Sequence, residues 1–167
     1  MKTFRNFIDD INESSMTRLK SQSDKGGTAV MSASRGNLSS KENRARAKKL
    51  DRDIRGKFGK GATKVTGKYD EKDEKTGQTK RVKERSHVIQ SGKMGKRKFK
   101  KAVKSLGKKY GQDSVITQQK GDKSATLKRT RKGGLPKKNI KLGKMRPGRS
   151  GENETQKKGK TFTYDTK

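Results

Sequence analysis

Side chains able to build a hydrophobic core are scarce in this chain, and that scarcity limits what it can fold into. Leu, Ile, Val and Phe number only 24 of 167 residues, below the ~20% level under which a highly charged chain tends to disorder. Lys and Arg number 48 against 17 Asp and Glu, a formal charge of +31. At most one small core is expected, with its apolar residues concentrated in part of the chain. With no Cys and one His, disulfide frameworks, thiolate zinc sites and paired-imidazole sites are excluded, so neither metal nor cofactor is expected. No apolar run approaches the ~18 residues of a membrane span and no secretory apolar region follows the N-terminus, so a soluble, non-exported chain without a membrane partner is expected.

The apolar residues fall into zones. Phe4, Phe7, Ile8 and Ile11 lie at i, i+3, i+4 and i+7, one stripe of a short helix. Residues 14–27 lose that period and read as linker. Residues 28–130 hold most of the remaining pattern. Thr28 to Ala33 is a strand candidate, and Ser39 three residues before Glu42 is a capping box opening a helix. On that helix Ala47, Leu50, Ile54 and Phe58 share one face, opposite Lys41, Lys48, Arg52 and Arg55. Thr63 to Tyr69 and Val82 to Gln90 read as a hairpin with a long loop carrying Thr76-Gly77. A second helix from about Gly95 to Lys109 sets Phe99, Val103 and Leu106 against Arg97, Lys101, Lys104 and Lys108. Ser114 to Gln119 and Ala125 to Arg129 close a final hairpin. The expected fold is α+β, a small β-α-β-β-α-β-β domain. Residues 131–167, rich in Lys, Arg and Gly and without period, are expected to form a disordered basic tail.

Catalytic motifs are weak. Gly143 to Ser150 has phosphate-loop glycine spacing, but Pro147 and the surrounding tail supply neither the preceding strand nor the following helix that such a loop requires. His87 stands in a strand candidate with no second base in view and reads as structural. The acid pairs Asp9-Asp10 and Asp70-Glu71 lie in terminal or loop segments, where nothing separates their pKa values. No catalytic residue is assigned. The basic faces say more. Nine basic residues and no acid lie between Lys93 and Lys109, so that helix repels itself without a polyanion, and phosphate contacts release counterions. Lys41, Lys48, Arg52, Arg55, Arg97, Lys101, Lys104 and Lys108 are the expected nucleic-acid contacts, with duplex DNA as the expected partner.

Two resemblances add to this reading. Phe4, Phe7-Ile8 and Ile11-Asn12-Glu13 resemble the leaders of internal head proteins of large contractile-tailed bacteriophages, which a prohead protease cuts after a Leu/Ile-x-Glu site. The resemblance implies a leader at residues 1–13, processing read at Ile11 and Glu13 with Ser14 as the new N-terminus, and the prohead scaffold and protease as partners. Separately, Glu42-Asn43-x-x-Arg46, Gly67, Glu84-x-Ser86 and Tyr110-Gly111-Gln112-Asp113-Ser114-Val115 resemble a small bacterial and phage domain family of unassigned function. If that family has a site, the resemblance implies a polar cluster of Asn43, Arg46, Glu84 and Gln112.

The expected function is a non-enzymatic phage internal head protein, packaged in the virion with DNA and ejected into the host cytoplasm. Two rivals are a host-takeover factor binding nucleic acid or a host protein, and a small enzyme using the Asn43, Arg46, Glu84 and Gln112 cluster.

Overall fold

The computed structural model describes residues 17–72, 75–133, 136–148, 154–157 and 160–164. The expected leader, with Ile11, Glu13 and Ser14, lies outside them. Residues 17–25, read as linker, form helix α1. β1 (Thr28–Ser32) is followed by α2 (Ser40–Phe58), β2 (Thr63–Lys72), β3 (Thr79–Gln90), α3 (Lys96–Lys109), β4 (Ser114–Gln118) and β5 (Ala125–Arg129). Four further strands follow: β6 (Ile140–Gly143), β7 (Met145–Pro147), β8 (Glu154–Lys157) and β9 (Lys160–Tyr164).

The helices form where capping and periodicity place them. Ser39 Oγ accepts from the Glu42 amide at 3.2 Å, while the Ser39 amide donates to Glu42 Oε2 at 2.8 Å. These two bonds satisfy donors that a helix start leaves open. Gly59 ends α2 in the left-handed conformation at φ 69°, which glycine adopts without a Cβ clash. α3 buries Phe99, Val103, Leu106 and Gly107. Its glycine permits close approach, since a Cβ on Gly107 would stand 2.6 Å from Thr130 Cγ2.

All nine strands belong to one sheet in the order β6-β5-β4-β1-β3-β2-β8-β9-β7, and every recorded pairing is antiparallel. The two edge strands are neighbours in sequence, because only Lys144 separates the end of β6 from the start of β7. That tether brings the edges together, so the sheet curls into a nearly closed, barrel-like shell. β1 is buried along its whole length, as a central strand covered on both faces must be.

Side chains alternate across the pleat, giving two apolar layers. Ala29, Met31 and Ile89 point outward and pack with Leu50 and Ile54 of α2 and Phe99, Val103 and Leu106 of α3. Val30, Val65, Val88, Met145 and Phe162 form an inner cluster with Leu19 of α1. Helix α1 covers one mouth of the shell, where Ser23 Oγ donates to Gln118 Oε1 at 2.9 Å and lies 3.1 Å from Thr28 Oγ1.

The expected small α+β domain with a disordered tail is corrected by this arrangement, which is mostly antiparallel β. Residues 140–164, expected to be tail, contribute β6 to β9. Sequence pattern missed them for a physical reason. Their strands span only three to five residues, too short to show alternation, and their backbones add to edges already templated by β5 and β2. Only Met145 and Phe162 among their hydrophobic side chains are buried in the inner cluster.

Candidate active site

A cavity of about 340 Å³ opens into the curled sheet, within the range of small-molecule sites. Strands β1 to β6, β8 and β9 all contribute to its wall. Its apolar lining includes Val30, Ile116, Leu127 and Leu142, and its polar lining includes Ser32, Tyr69, Glu84, Ser86, Gln112 and Ser114.

Strand register explains how the polar groups meet. Ser32 of β1 lies opposite Ser86 of β3, and Gly67 of β2 lies opposite Glu84 of β3. A Cβ on Gly67 would stand 3.0 Å from Ser86 Oγ and 3.7 Å from Glu84 Cγ. Glycine therefore keeps open the space over these two side chains. Tyr69 follows Gly67 on the same face, and β9 brings Tyr164 to the same cavity. Burial raises the Tyr164 hydroxyl above the usual phenol range, so it stays protonated at neutral pH.

The rim is braced by charge. Glu154 Oε1 lies 3.2 Å from Lys68 Nζ and 3.4 Å from Arg81 Nη2, while Arg81 Nη1 donates to Asp70 Oδ1 at 2.9 Å. This network ties β8 to β2 and β3.

The four residues of the expected polar cluster separate into two groups. Glu84 and Gln112 line the cavity. Asn43 and Arg46 instead hold the segment after β1. Asn43 Oδ1 accepts from the Arg35 amide at 2.8 Å, and its Nδ2 donates to the Arg35 and Leu38 carbonyls at 3.0 and 3.2 Å. Arg46 Nε donates to the Ala33 carbonyl at 2.7 Å and Nη2 to the Tyr110 carbonyl at 2.6 Å, with its guanidinium 5.7 Å from the Tyr110 ring centre. Gln112 joins the two groups, its Nε2 donating to the Ser34 carbonyl at 3.1 Å. Asn43 and Arg46 thus position the backbone that carries Ser32 and Gln112 into the wall.

Behind this network, Tyr110 donates through its hydroxyl to Asp53 Oδ2 at 2.6 Å, and Lys109 Nζ stands 2.8 Å from the same oxygen. Lys109 first, then Tyr110, holds the Asp53 carboxyl below its ordinary value.

The eight basic residues singled out from sequence occupy exposed outer faces: Lys41, Lys48, Arg52 and Arg55 on α2, and Arg97, Lys101, Lys104 and Lys108 on α3. None of them lines the cavity. Pattern reading missed Ser32, Tyr69, Ser114, Glu154 and Tyr164. The first three stand at lumen-facing positions of their strands, a signal that needs the pairing register to be seen. Glu154 and Tyr164 lie in the stretch read as tail, where only Thr161-Phe162-Thr163-Tyr164 hints at alternation.

The profile of the S-Adenosylmethionine lyase family matches residues 29–167. No curated protein matches. A solved structure described as a phage SAM lyase in complex with S-methyl-5'-thioadenosine is similar, at 17% identity and a TM-score of 0.37, over 72% of this chain and 91% of that chain.

Proposed function

The chain belongs to the S-adenosylmethionine lyase family, and from that premise we propose that it cleaves S-adenosylmethionine in the cavity inside the curled sheet. What carries the reading is the family match over residues 29–167; within it, this cavity brings the Glu84 carboxylate together with Tyr69 and Tyr164.

Two expectations are thereby corrected. The non-enzymatic internal head protein gives way to an enzyme, and the partners change from DNA, prohead scaffold and protease to a small sulfonium substrate. The rival reading of a small enzyme is the one that fits. Composition misled because almost all of the basic charge lies away from the cavity: Lys68 is the one basic residue in its lining, which is mainly small polar, apolar and aromatic side chains.

The proposed chemistry suits that wall. A lyase breaks the Cγ–S bond without consuming water, and its electron pair moves to sulfur, releasing neutral 5'-methylthioadenosine. The substrate's own carboxylate oxygen can form the new bond to Cγ, leaving a lactone of the amino-acid fragment, so no atom is gained or lost. A carboxylate attacking beside a sulfonium annihilates charge in the transition state, which a cavity of low polarity favours. The protein's task is then to hold the carboxylate in line with the C–S bond. Glu84 supplies the negative charge that draws in the sulfonium, and the rings of Tyr69 and Tyr164 offer faces to a cation or a purine. Gln112, Ser32, Ser86 and Ser114 supply hydrogen bonds that fix orientation.

The test is incubation of the purified chain with S-adenosylmethionine, with products followed by mass spectrometry in ¹⁸O-water. Stoichiometric methylthioadenosine and an early co-product free of ¹⁸O are expected. Intact substrate would overturn the reading, and immediate ¹⁸O incorporation would replace the lyase by a hydrolase.

A further inference from the structure

Charge is arranged in opposite senses inside and outside this protein. The charged side chains lining the cavity are two acids, Glu84 and Glu154, and one base, Lys68. Lys68 Nζ lies 3.2 Å from Glu154 Oε1, so that pair is locally neutral and the lining as a whole carries a net negative charge. Around it the chain totals +31, with exposed lysines and arginines along the outer faces of α2 and α3. A domain of this length has a radius of gyration of about 15 Å, whereas the Debye length is ~30 Å at ~0.01 M salt and ~10 Å at ~0.1 M. At low ionic strength the outer charge therefore acts on anything that enters the cavity.

Resting on the lyase reading, we propose that this outer charge governs substrate capture, holding S-adenosylmethionine back until anions screen it. The substrate is itself a cation at pH 7, because sulfonium and ammonium against one carboxylate leave a single net positive charge. A surface of the same sign lowers its concentration at the cavity mouth, the reverse of electrostatic steering. Glu84 counters this only at short range. The substrate's net charge does not change during the reaction: sulfonium and carboxylate neutralise each other, and the ammonium stays on the lactone. A distant field thus weighs equally on bound substrate and transition state, so screening should lower KM and leave kcat alone.

The experiment is steady-state turnover of S-adenosylmethionine by the full chain, with sodium chloride raised from ~0.01 to ~0.1 M. KM should fall by about three- to tenfold at constant kcat. Two competitive inhibitors calibrate the field. S-adenosylhomocysteine, which has no sulfonium and no net charge, should keep its Ki. Decarboxylated S-adenosylmethionine, doubly positive, should gain about the square of the factor seen for the substrate. The triple variant Arg97→Glu, Lys101→Glu, Lys104→Glu takes the net charge from +31 to +25 on a face that does not line the cavity. Its KM should be about twofold lower than the parent's at low salt and equal to it once the field is screened. A KM that ignores salt, a kcat that rises in step, equal shifts for ligands of different charge, or a variant that matches the parent at low salt would overturn the proposal and leave the lyase reading intact. Absence of turnover at every salt concentration would overturn both.

Discussion

At the scale of the residue, the cavity places the strongest demand on Glu84. Glu84→Gln keeps the shape and removes the charge, so kcat/KM on S-adenosylmethionine should fall by about 10- to 100-fold, the cost of one charge-assisted contact. An unchanged kcat/KM would remove Glu84 from the proposed role. Gly67→Ala tests the space beside it, because the added methyl must meet Ser86 Oγ at 3.0 Å; catalysis should suffer more than thermal stability. Away from the cavity, Asp53 offers a pH test. Its folded pKa lies below its ordinary value of 3.8, so its stabilising contribution is present above that value and disappears as pH falls through the lowered one. Asp53 is half-buried and its partner Lys109 is exposed, so solvent screening limits the effect to about 1 kcal/mol or less. Asp53→Asn should therefore lower Tm slightly at pH 7, and the gap to the parent should close toward pH 3.

At the scale of the element, α3 shows how tightly helix and sheet meet. Gly107→Ala gains helix propensity but drives a methyl to 2.6 Å from Thr130 Cγ2, so a net loss of about 1–3 kcal/mol is expected. Thr130→Ser removes the opposing methyl and keeps the hydroxyl that donates to the Gln112 carbonyl. The double variant should recover most of the loss in a denaturation cycle, whereas simple additivity would mean the clash relaxes elsewhere. Elements of this kind were legible in sequence because each carries its own signal: the Ser39–Glu42 box, the Phe99–Val103–Leu106 stripe, the Gly121-Asp122 turn. The last four strands carry little beyond the alternation of Thr161-Phe162-Thr163-Tyr164, since their hydrogen bonds are specified by the edges they join. The cavity was half legible for the same reason. Glu84 and Gln112 were reached through a resemblance, but Tyr69 is turned into the cavity by the register of the β2–β3 hairpin, and Glu154 is placed by the pairing of β8 with β2, strands distant in sequence.

At the scale of the whole molecule, residues 140–164 and the rest of the sheet form a single structure. Leu142, Glu154, Thr155 and Tyr164 wall the cavity, and Met145 and Phe162 complete the inner cluster. A chain ended at residue 139 should lose lyase activity and show a lower, broader thermal transition. Trypsin should likewise fail to leave a stable fragment of residues 28–130, and accumulation of such a fragment with full activity would mean that the final strands only decorate the sheet.

The way β8 and β9 enter the sheet also governs how the chain is made. Strand β7 pairs only with β9, and β8 fills the place between β2 and β9, so neither junction exists until residues 154–164 have been synthesised. Throughout elongation the β2 edge is an unpaired row of amides and carbonyls, the kind of surface on which partly folded chains join one another. Lys64 and Lys68 stand on that strand within a chain of high net positive charge, and like charge keeps two such edges apart. The basicity first read as a sign of nucleic acid is therefore expected to keep partly made copies apart, and neutralising lysines on β2 should show first as aggregates during expression.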